Sequence, residues 1–328
     1  MQFFKILFLL FIFAVCMAIY SVFFVYRYYN RPIITEDKFF IVNHGDSYNK
    51  ILLNLFDEKI VIGNNKFFFM NIARIYRLKS SGFKSGEYLF KKGISLLDML
   101  KQMQYGKTHS RKITFAEGLT NDAIFEIINN AEGLVGDLPS VDDVLEGTLL
   151  PETYTYQRGD TKKSLINRMQ KAMVEFFDKE WEKRELNLPF KTKQEALNLA
   201  SIVEKETGLP EERGKVASVF INRLRKKMRL QSDPTVAYAF THGKKSLERE
   251  IRKSDLEDVN EYNTYKINGI PQKPISNPGK DSIKATLNPE KTDYLYFVAT
   301  GSGGHRFTKE LSDHNKAVRD YRKIIKEK

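Results

Sequence analysis

The most constraining feature of this 328-residue chain is an uncharged apolar stretch near its beginning. Residues 6–26, ILFLLFIFAVCMAIYSVFFVY, contain no Asp, Glu, Lys or Arg. As a helix rising ~1.5 Å per residue, they would extend about 30 Å, the thickness of a bilayer's hydrocarbon core. A cleaved signal peptide has a shorter apolar region and a small-x-small cleavage site, which Cys16–Ala18 fits poorly. We therefore expect an uncleaved, single-pass transmembrane anchor.

The charges that flank this stretch do not fix its orientation. Lys5 and the amino terminus precede it, whereas Arg27 and Arg31 follow it. The positive-inside rule therefore gives no support for a cytoplasmic N-terminus.

Net charge and cysteine content limit the partners. The formal charge of +12 favours an anionic partner such as nucleic acid, phospholipid headgroups or an acidic polymer. Membrane anchoring disfavours nucleic acid among these. Cys16, the only cysteine, lies in the apolar stretch, so the rest of the chain has no disulfide or cysteine metal site. The histidines form no metal-binding motif, and we expect no metal or cofactor.

Short strands and helices alternate after a tether at 27–37. The pattern predicts a strand (38–43), two helices (47–60 and 65–78), a strand (82–90) and a helix (95–103). This order indicates a small binding module. Residues 111–131 add a strand, a turn at Gly118 and a helix.

The second half of the chain is predicted to be mainly helical. A loop with aromatic residues at 146–159 precedes a long amphipathic helix at 161–185, and helices continue to about residue 228. Residues 229–310 are rich in Gly, Pro, Asn and Tyr, with one clear strand at 293–300. A basic helix at 311–328 closes the chain.

The stretch ASIVEKETGLPEERG contains one glutamate suited to acid catalysis. On a helix at 193–207, Glu206 falls at the border of an apolar stripe that includes Leu199 and Ile202. Glu204 lies about 160° away around the helix. An apolar wall disfavours the charged carboxylate and raises its pKa, so Glu206 is the better proton donor. The alternative is that Glu206 is a surface residue near a helix end.

Four long motifs carry a resemblance to a known family: LASIVEKET, ERGKVASVFINRLRKKMRLQSDPTVAYAF, YNTYKINGIPQKPISNPG and DYLYFVATGSGGHRFTKELSDHN. With them, the chain resembles the YceG-like (MltG) family of endolytic murein transglycosylases over nearly its whole length. The resemblance implies an α+β fold. It comprises a cytoplasmic end (1–5), a transmembrane helix (6–26), a LysM-like module (38–108), a connecting subdomain (109–145) and a mainly helical catalytic domain with a few strands (146–328).

The resemblance also implies a location and an activity. It implies an inner-membrane protein with a periplasmic catalytic domain. The activity would be that of a lyase that cuts peptidoglycan strands internally at the MurNAc–GlcNAc β-1,4 bond. It leaves 1,6-anhydroMurNAc ends and is expected to terminate strand elongation. The implied partners are glycan strands and peptidoglycan synthases at the inner membrane, with no nucleic acid.

The family's catalytic glutamate, the second Glu of its E-K-E-T motif, falls on Glu206. Polar residues similar to those of lytic transglycosylase clefts are expected to contact sugar: Gln231, Tyr262, Asn263, Glu152, Tyr154, Asn222, Asp233 and His305.

Two other functions stay open. A hydrolytic muramidase would need a second carboxylate, such as Asp233 or Glu152. A membrane-anchored scaffold would bind peptidoglycan without chemistry.

Overall fold

A computed structural model describes residues 2–61, 66–77, 82–244 and 247–327. Its contacts divide the chain into two compact units. The first contains Met1–Arg111 and Gln157–Gly159, and the second contains Lys112–Tyr156 and Asp160–Lys328. The unit boundary therefore lies near residue 111. Residues 112–145, expected to form a connecting subdomain, group with the second unit.

The first helix, α1 (Gln2–Asn30), includes the apolar stretch. Its residues Phe3–Asn30 are long and apolar enough to cross a membrane, and none of its most apolar window is buried against protein. Only its end joins the first unit, where Tyr28 is buried and the Tyr29 hydroxyl donates to the Ile72 carbonyl (2.5 Å). Most of the apolar surface of α1 is therefore left uncovered by the rest of the described chain.

The first unit has the predicted order of elements after α1. These are β1 (Lys38–Val42), α2 (Tyr48–Asp57), α3 (Lys66–Arg77), β2 (Gly86–Phe90) and α4 (Leu96–Tyr105). β1 and β2 pair antiparallel, with Phe40 opposite Tyr88, and both rings are buried in one apolar core. Ser47 and Ser95 begin α2 and α4 by accepting backbone N–H groups. Residues 65 and 78, the ends of the second predicted helix, lie outside the described residues.

The second unit is mainly helical with a few strands, so the α+β class is confirmed. Its strands are β3 (Arg111–Thr114), β4 (Thr153–Tyr156), β5 (Tyr296–Ala299) and β6 (His305–Thr308). β3 pairs with β4, and β5 pairs antiparallel with β6. Its helices are α5 (Asn121–Asn129), α6 (Lys162–Trp181), α7 (Lys193–Glu206), α8 (Pro210–Arg225), α9 (Asp233–Thr241), α10 (Lys253–Glu257), α11 (Lys280–Leu287) and α12 (Leu311–Glu327).

Several elements in the Gly- and Pro-rich region escaped the sequence pattern. In addition to the predicted strand, this region contains three helices, α9, α10 and α11, and the strand β6. Pro234 lies in the first turn of α9, a position that suits Pro because no N–H partner is needed there. Both α9 and α11 are short, which weakens any periodic signal.

Helix α7 lies in the core of the second unit. A capping box of Thr192 and Glu195 begins it, and it packs against both α8 and α11. Residues 196–203 are buried without exception, including the polar Asn198 and Ser201. Asn198 donates to the Pro271 carbonyl (2.7 Å), and Ser201 accepts the Ile275 N–H (3.0 Å). The helix therefore has no solvent face over these residues.

Truncating the core face of α7 should destabilise the protein. Leu199 is fully buried, so Leu199→Ala leaves a cavity and should lower the free energy of unfolding by about 2–5 kcal/mol. Leu186 is 79% exposed and provides the control, because Leu186→Ala should change the free energy of unfolding by less than about 0.5 kcal/mol. Urea unfolding of both variants measures the difference, and equal midpoints would contradict the assigned core.

Candidate active site

Glu206 is the last residue of the buried helix α7. Thr207 after it is extended, and α8 begins at Pro210, so the chain turns sharply. The Glu206 side chain keeps some exposed surface, unlike the eight residues 196–203. The helix thus places one carboxyl at the point where the core meets solvent.

The beginning of α9 holds the Glu206 carboxyl in place. The Ser232 hydroxyl, at the N-cap of α9, donates a short hydrogen bond to Glu206 Oε1. Ser232 is itself buried, and its N–H donates to Thr264 Oγ1 (2.8 Å). Thr235 Oγ1 lies 2.9 Å from Thr264 Oγ1 and donates to the Ser232 carbonyl (2.6 Å). This group of hydroxyls fixes the position of Glu206.

The environment of Glu206 favours its protonated form near neutrality. Burial raises its pKa from 4.5 to about 7, and the Asp233 charge acts in the same direction. The Ser232 hydrogen bond and the Arg223 guanidinium lower the pKa by smaller amounts. Buried Arg223 is held by the carbonyls of Leu295 (2.7 Å) and Leu230 (2.6 Å). Glu206 can therefore both give and take a proton at neutral pH.

Three polar residues surround Ser232, the partner of this carboxyl. Gln231 and Asp233 flank it in the chain, and Tyr265 binds Asp233. Asp233 is exposed and accepts a hydrogen bond from the Tyr265 hydroxyl (2.6 Å). Gln231 is exposed, and its φ of 50° places it in the left-handed region, which is rare for a residue other than Gly. Tyr265, which lies in the same motif as Tyr262, is not among the residues that the sequence predicted as sugar contacts.

The Glu204 side chain, on another face of α7, is buried and paired. Its side chain is 5% exposed, it lies 3.5 Å from the Arg213 guanidinium, and it accepts the Gly279 N–H (2.9 Å). Arg213 also pairs with Glu117 (3.0 Å), and a Cβ at Gly279 would collide with the Glu117 carboxylate. Glu204 therefore has a structural role, because neighbouring segments cover that face of α7 too.

Tyr262 and Asn263, expected to contact sugar, are buried. Asn263 has no exposed surface, and its amide donates to the carbonyls of Leu256 (3.2 Å) and Asp258 (2.6 Å). Tyr262 is 6% exposed and packs edge to face on Tyr238, with ring centroids 4.9 Å apart. These two hydrogen bonds hold the backbone of residues 256–258 against Asn263.

Asn222 and His305 lie in other parts of the second unit. The Asn222 amide donates to the carbonyls of Thr292 (2.8 Å) and Tyr294 (3.0 Å), beside a cavity of about 550 Å³. His305 Nδ1 lies 2.7 Å from Glu212 Oε2, and the backbone N–H of His305 donates to Glu212 Oε1 (2.7 Å). Both side chains connect segments of the fold.

Glu152 and Tyr154 belong to the region of β4. Glu152 forms an ion pair with Lys280 (2.5 Å). The Tyr154 hydroxyl donates to the Leu150 carbonyl (2.8 Å), and its ring contacts Phe115.

A second glutamate with a raised pKa was not singled out by the sequence motifs. Burial raises the pKa of Glu146 to about 7, as for Glu206. It follows the 3-10 helix Val141–Asp143 and lines a separate cavity of about 420 Å³. Within the described ranges, the His, Cys, Asp and Glu side chains form no group of three that could hold a metal ion.

Comparison with known proteins places this site in a family. The model of the YceG-like family matches residues 40–320, which include Glu206 and its partners. The chain belongs to the YceG-like family. Relatives include the endolytic murein transglycosylase of Bacillus subtilis, 36% identical over 275 residues, or 74% of each chain. That of Streptococcus pneumoniae is 30% identical over 283 residues, 73% of this chain and 50% of the relative.

A solved structure of the YceG-like family supports the fold. The crystal structure of a YceG-like protein from Listeria monocytogenes aligns with a TM-score of 0.53 at 32% identity. The alignment covers 86% of this chain and 98% of that one.

The raised pKa of Glu206 should make stability depend on pH. Between pH 4.5 and about 7 the folded protein holds a proton that the unfolded chain releases, so the free energy of unfolding falls as the pH rises. Glu206→Gln removes this term. The free energy of unfolding of the variant should exceed that of wild type by at most about 3 kcal/mol at pH 8, and the two should be equal at pH 4.

Urea unfolding at both pH values measures this difference. Glu146 contributes equally to both proteins, so its own titration cancels. Glu211→Gln, at an exposed position of α8, should follow wild type at both pH values. A constant difference between Glu206→Gln and wild type would contradict the raised pKa.

Proposed function

We propose that this protein is an endolytic murein lytic transglycosylase, a lyase that cuts peptidoglycan strands internally. The observation that carries the proposal is the half-buried Glu206 at the end of α7, whose carboxyl has its pKa raised by burial to about 7, which suits transfer of one proton in each direction. The names of the relatives in Bacillus subtilis and Streptococcus pneumoniae support the same reaction class.

Glu206 would act first as an acid and then as a base. Its proton passes to the glycosidic oxygen as the bond from C1 of N-acetylmuramic acid breaks, and positive charge develops at C1. The Glu206 carboxylate then takes the proton of the C6 hydroxyl while that oxygen bonds to C1. The products are a 1,6-anhydroMurNAc end and a free GlcNAc hydroxyl, and no water is consumed.

The neighbours of Glu206 suit this cycle. The Ser232 hydroxyl stabilises the carboxylate formed after the first transfer. Exposed Asp233 carries negative charge near the site, which would stabilise the developing positive charge at C1. Gln231 presents an exposed amide beside Ser232 for a sugar hydroxyl. Tyr262, Asn263, Asn222, Glu152, Tyr154 and His305 stay predictions as sugar contacts.

A hydrolytic muramidase is the second candidate. It would need a carboxylate to activate water, and Asp233 is the available group near Glu206. The hydrogen bond that it accepts from Tyr265 positions its side chain. Glu152, in its ion pair with Lys280, is less suited to this role. The chemical form of the new sugar end separates the two reactions.

The anchor and the first unit would bring the enzyme to its substrate. We assign the β1–α2–α3–β2 unit as a LysM-like module that positions glycan strands, because its strand–helix–helix–strand order fits that expectation. With α1 in the inner membrane and the second unit in the periplasm, the site would meet nascent strands. Termination of strand elongation, and contact with peptidoglycan synthases, follow from that location.

Replacing Glu206 should abolish formation of anhydro ends. Glu206→Gln keeps the shape of the side chain but has no transferable proton. A general acid contributes about 10²–10⁴ in rate, and both transfers use this residue, so we expect a loss of about 10⁴. Mass spectrometry of glycan fragments after incubation with the full-length protein in detergent measures the anhydroMurNAc product.

Two controls make the result specific. Glu211→Gln, on the exposed side of α8, should retain wild-type turnover. Circular dichroism should show that both variants are folded. Reducing ends in place of anhydro ends from wild type would favour the muramidase, and normal yield from Glu206→Gln would move the acid elsewhere.

The proposed location predicts which part of the chain a protease reaches. In a host with a periplasm, protease added to spheroplasts should digest residues 30–328 of the full-length protein. Residues 6–26 should remain membrane-bound in the mature chain. A protected second unit, or a mature N-terminus near residue 19, would contradict the anchor and its orientation. A cytoplasmic protein followed in the same samples controls for lysis.

A further inference from the structure

The cavity beside Glu146 and the proposed catalytic Glu206 lie near opposite ends of α9. Ser232, at the beginning of α9, contacts Glu206, whereas Tyr238 and His242, near the end of α9, line the cavity. The nine residues of α9 extend about 13 Å. The cavity volume of about 420 Å³ lies within the range of small-molecule sites, roughly 300–1,000 Å³.

The two oxygens of the Glu146 carboxyl are held unequally by their hydrogen bonds. Oε1 accepts the Asn121 N–H and the Asn277 amide, both at 3.0 Å. Oε2 makes longer contacts, 3.3 Å to the Asn121 nitrogen and 3.4 Å to the Tyr238 hydroxyl. The backbone of Gly147 also forms a hydrogen bond to this carboxyl. Because Glu146 lines the cavity, its carboxyl supplies an oriented acceptor there.

The remaining lining supplies both kinds of hydrogen-bonding group. Burial raises the pKa of Tyr238, so its hydroxyl stays protonated as a donor. Lys273 adds an exposed donor and Asp122 a further acceptor. The Tyr238 and Tyr262 rings add apolar surface.

This composition fits a sugar better than an ion. Each sugar hydroxyl both donates and accepts hydrogen bonds, and an acetamide group needs one partner of each kind. Two carboxyls, Glu146 and Asp122, disfavour a phosphate or another anion, while Lys273 disfavours a simple cation. Aromatic rings suit the apolar face of a sugar ring.

We propose that this cavity is a distal glycan subsite. It would hold an N-acetylated amino sugar of the strand that is cut at Glu206, with Glu146 Oε2 and the Tyr238 hydroxyl bonding to it. The inference rests on the proposed function, because the sugar belongs to the same strand. The length of α9 separates this sugar from the cleaved bond by more than one sugar residue. A subsite at that distance would favour long strands over short fragments.

Strand binding without turnover tests the subsite. In full-length protein carrying Glu206→Gln, adding Tyr238→Phe removes one hydroxyl and keeps the ring. The dissociation constant for purified glycan strands should rise about three- to tenfold, the effect of one lost hydrogen bond. Tyr321→Phe, on α12, is the matched control and should leave the constant unchanged.

A second variant fills the cavity without disturbing the core. Leu145 lines the cavity and is 43% exposed, so Leu145→Trp should fold and block the subsite. Strand binding should weaken at least as much as with Tyr238→Phe. In protein that retains Glu206, both variants should raise KM for long strands and leave kcat nearly unchanged.

The outcomes separate the subsite from the proposed reaction. If both folded variants bind and cut strands like wild type, the subsite is wrong and the transglycosylase proposal stands. If wild type forms no anhydro ends, the reaction is wrong. Weaker binding by the variants would still support a sugar site in the cavity, and unchanged binding would contradict it.

Discussion

The burial of residues 196–203 of α7 on every side is the constraint on which the site depends. Helices α8 and α11 pack against it, and residues 271–276 bind its polar positions Asn198 and Ser201. A helix covered in this way cannot rotate or shift without breaking core packing and buried hydrogen bonds together. Its last residue, Glu206, is therefore held where the core meets solvent, and the same burial gives the carboxyl its raised pKa.

Polar contacts between distant segments complete the arrangement. Ser232, Thr235 and Thr264 form a buried group of hydroxyls that orients the Glu206 carboxyl. Glu204, two residues earlier on α7, pairs with Arg213 and binds the backbone of Gly279. Buried polar groups are expensive unless paired, so these contacts favour a single arrangement of the loops around α7. One helix end thus carries Glu204, which joins neighbouring segments, and Glu206, whose pKa is raised by burial.

The two glutamates with raised pKa values suggest how a strand could lie on the second unit. Glu206 and Glu146 are approached by opposite ends of α9, through Ser232 and Tyr238. Glu206 is held by one hydroxyl and has few competing partners, which suits proton transfer. Glu146 accepts from two nitrogen donors at Oε1, which suits a fixed binding group. A glycan strand that contacts both glutamates would be bound at a distance from its cleaved bond. Binding of this kind would favour cutting within a long polymer.

The sequence by itself determined the apolar first helix, the order of elements in the first unit and the position of Glu206 at the end of a helix, because each depends on local patterns of period and length. It also carried the family motifs. It did not determine the burial of Glu204, the helices α9 and α11, the loop role of Asn263, or the approach of Tyr265 and Glu146 to polar partners. Those features depend on which segments, far apart in the chain, cover each face of α7 and α9. Only the tertiary structure decides that, because a helical pattern gives the direction of a side chain and not the identity of what packs against it.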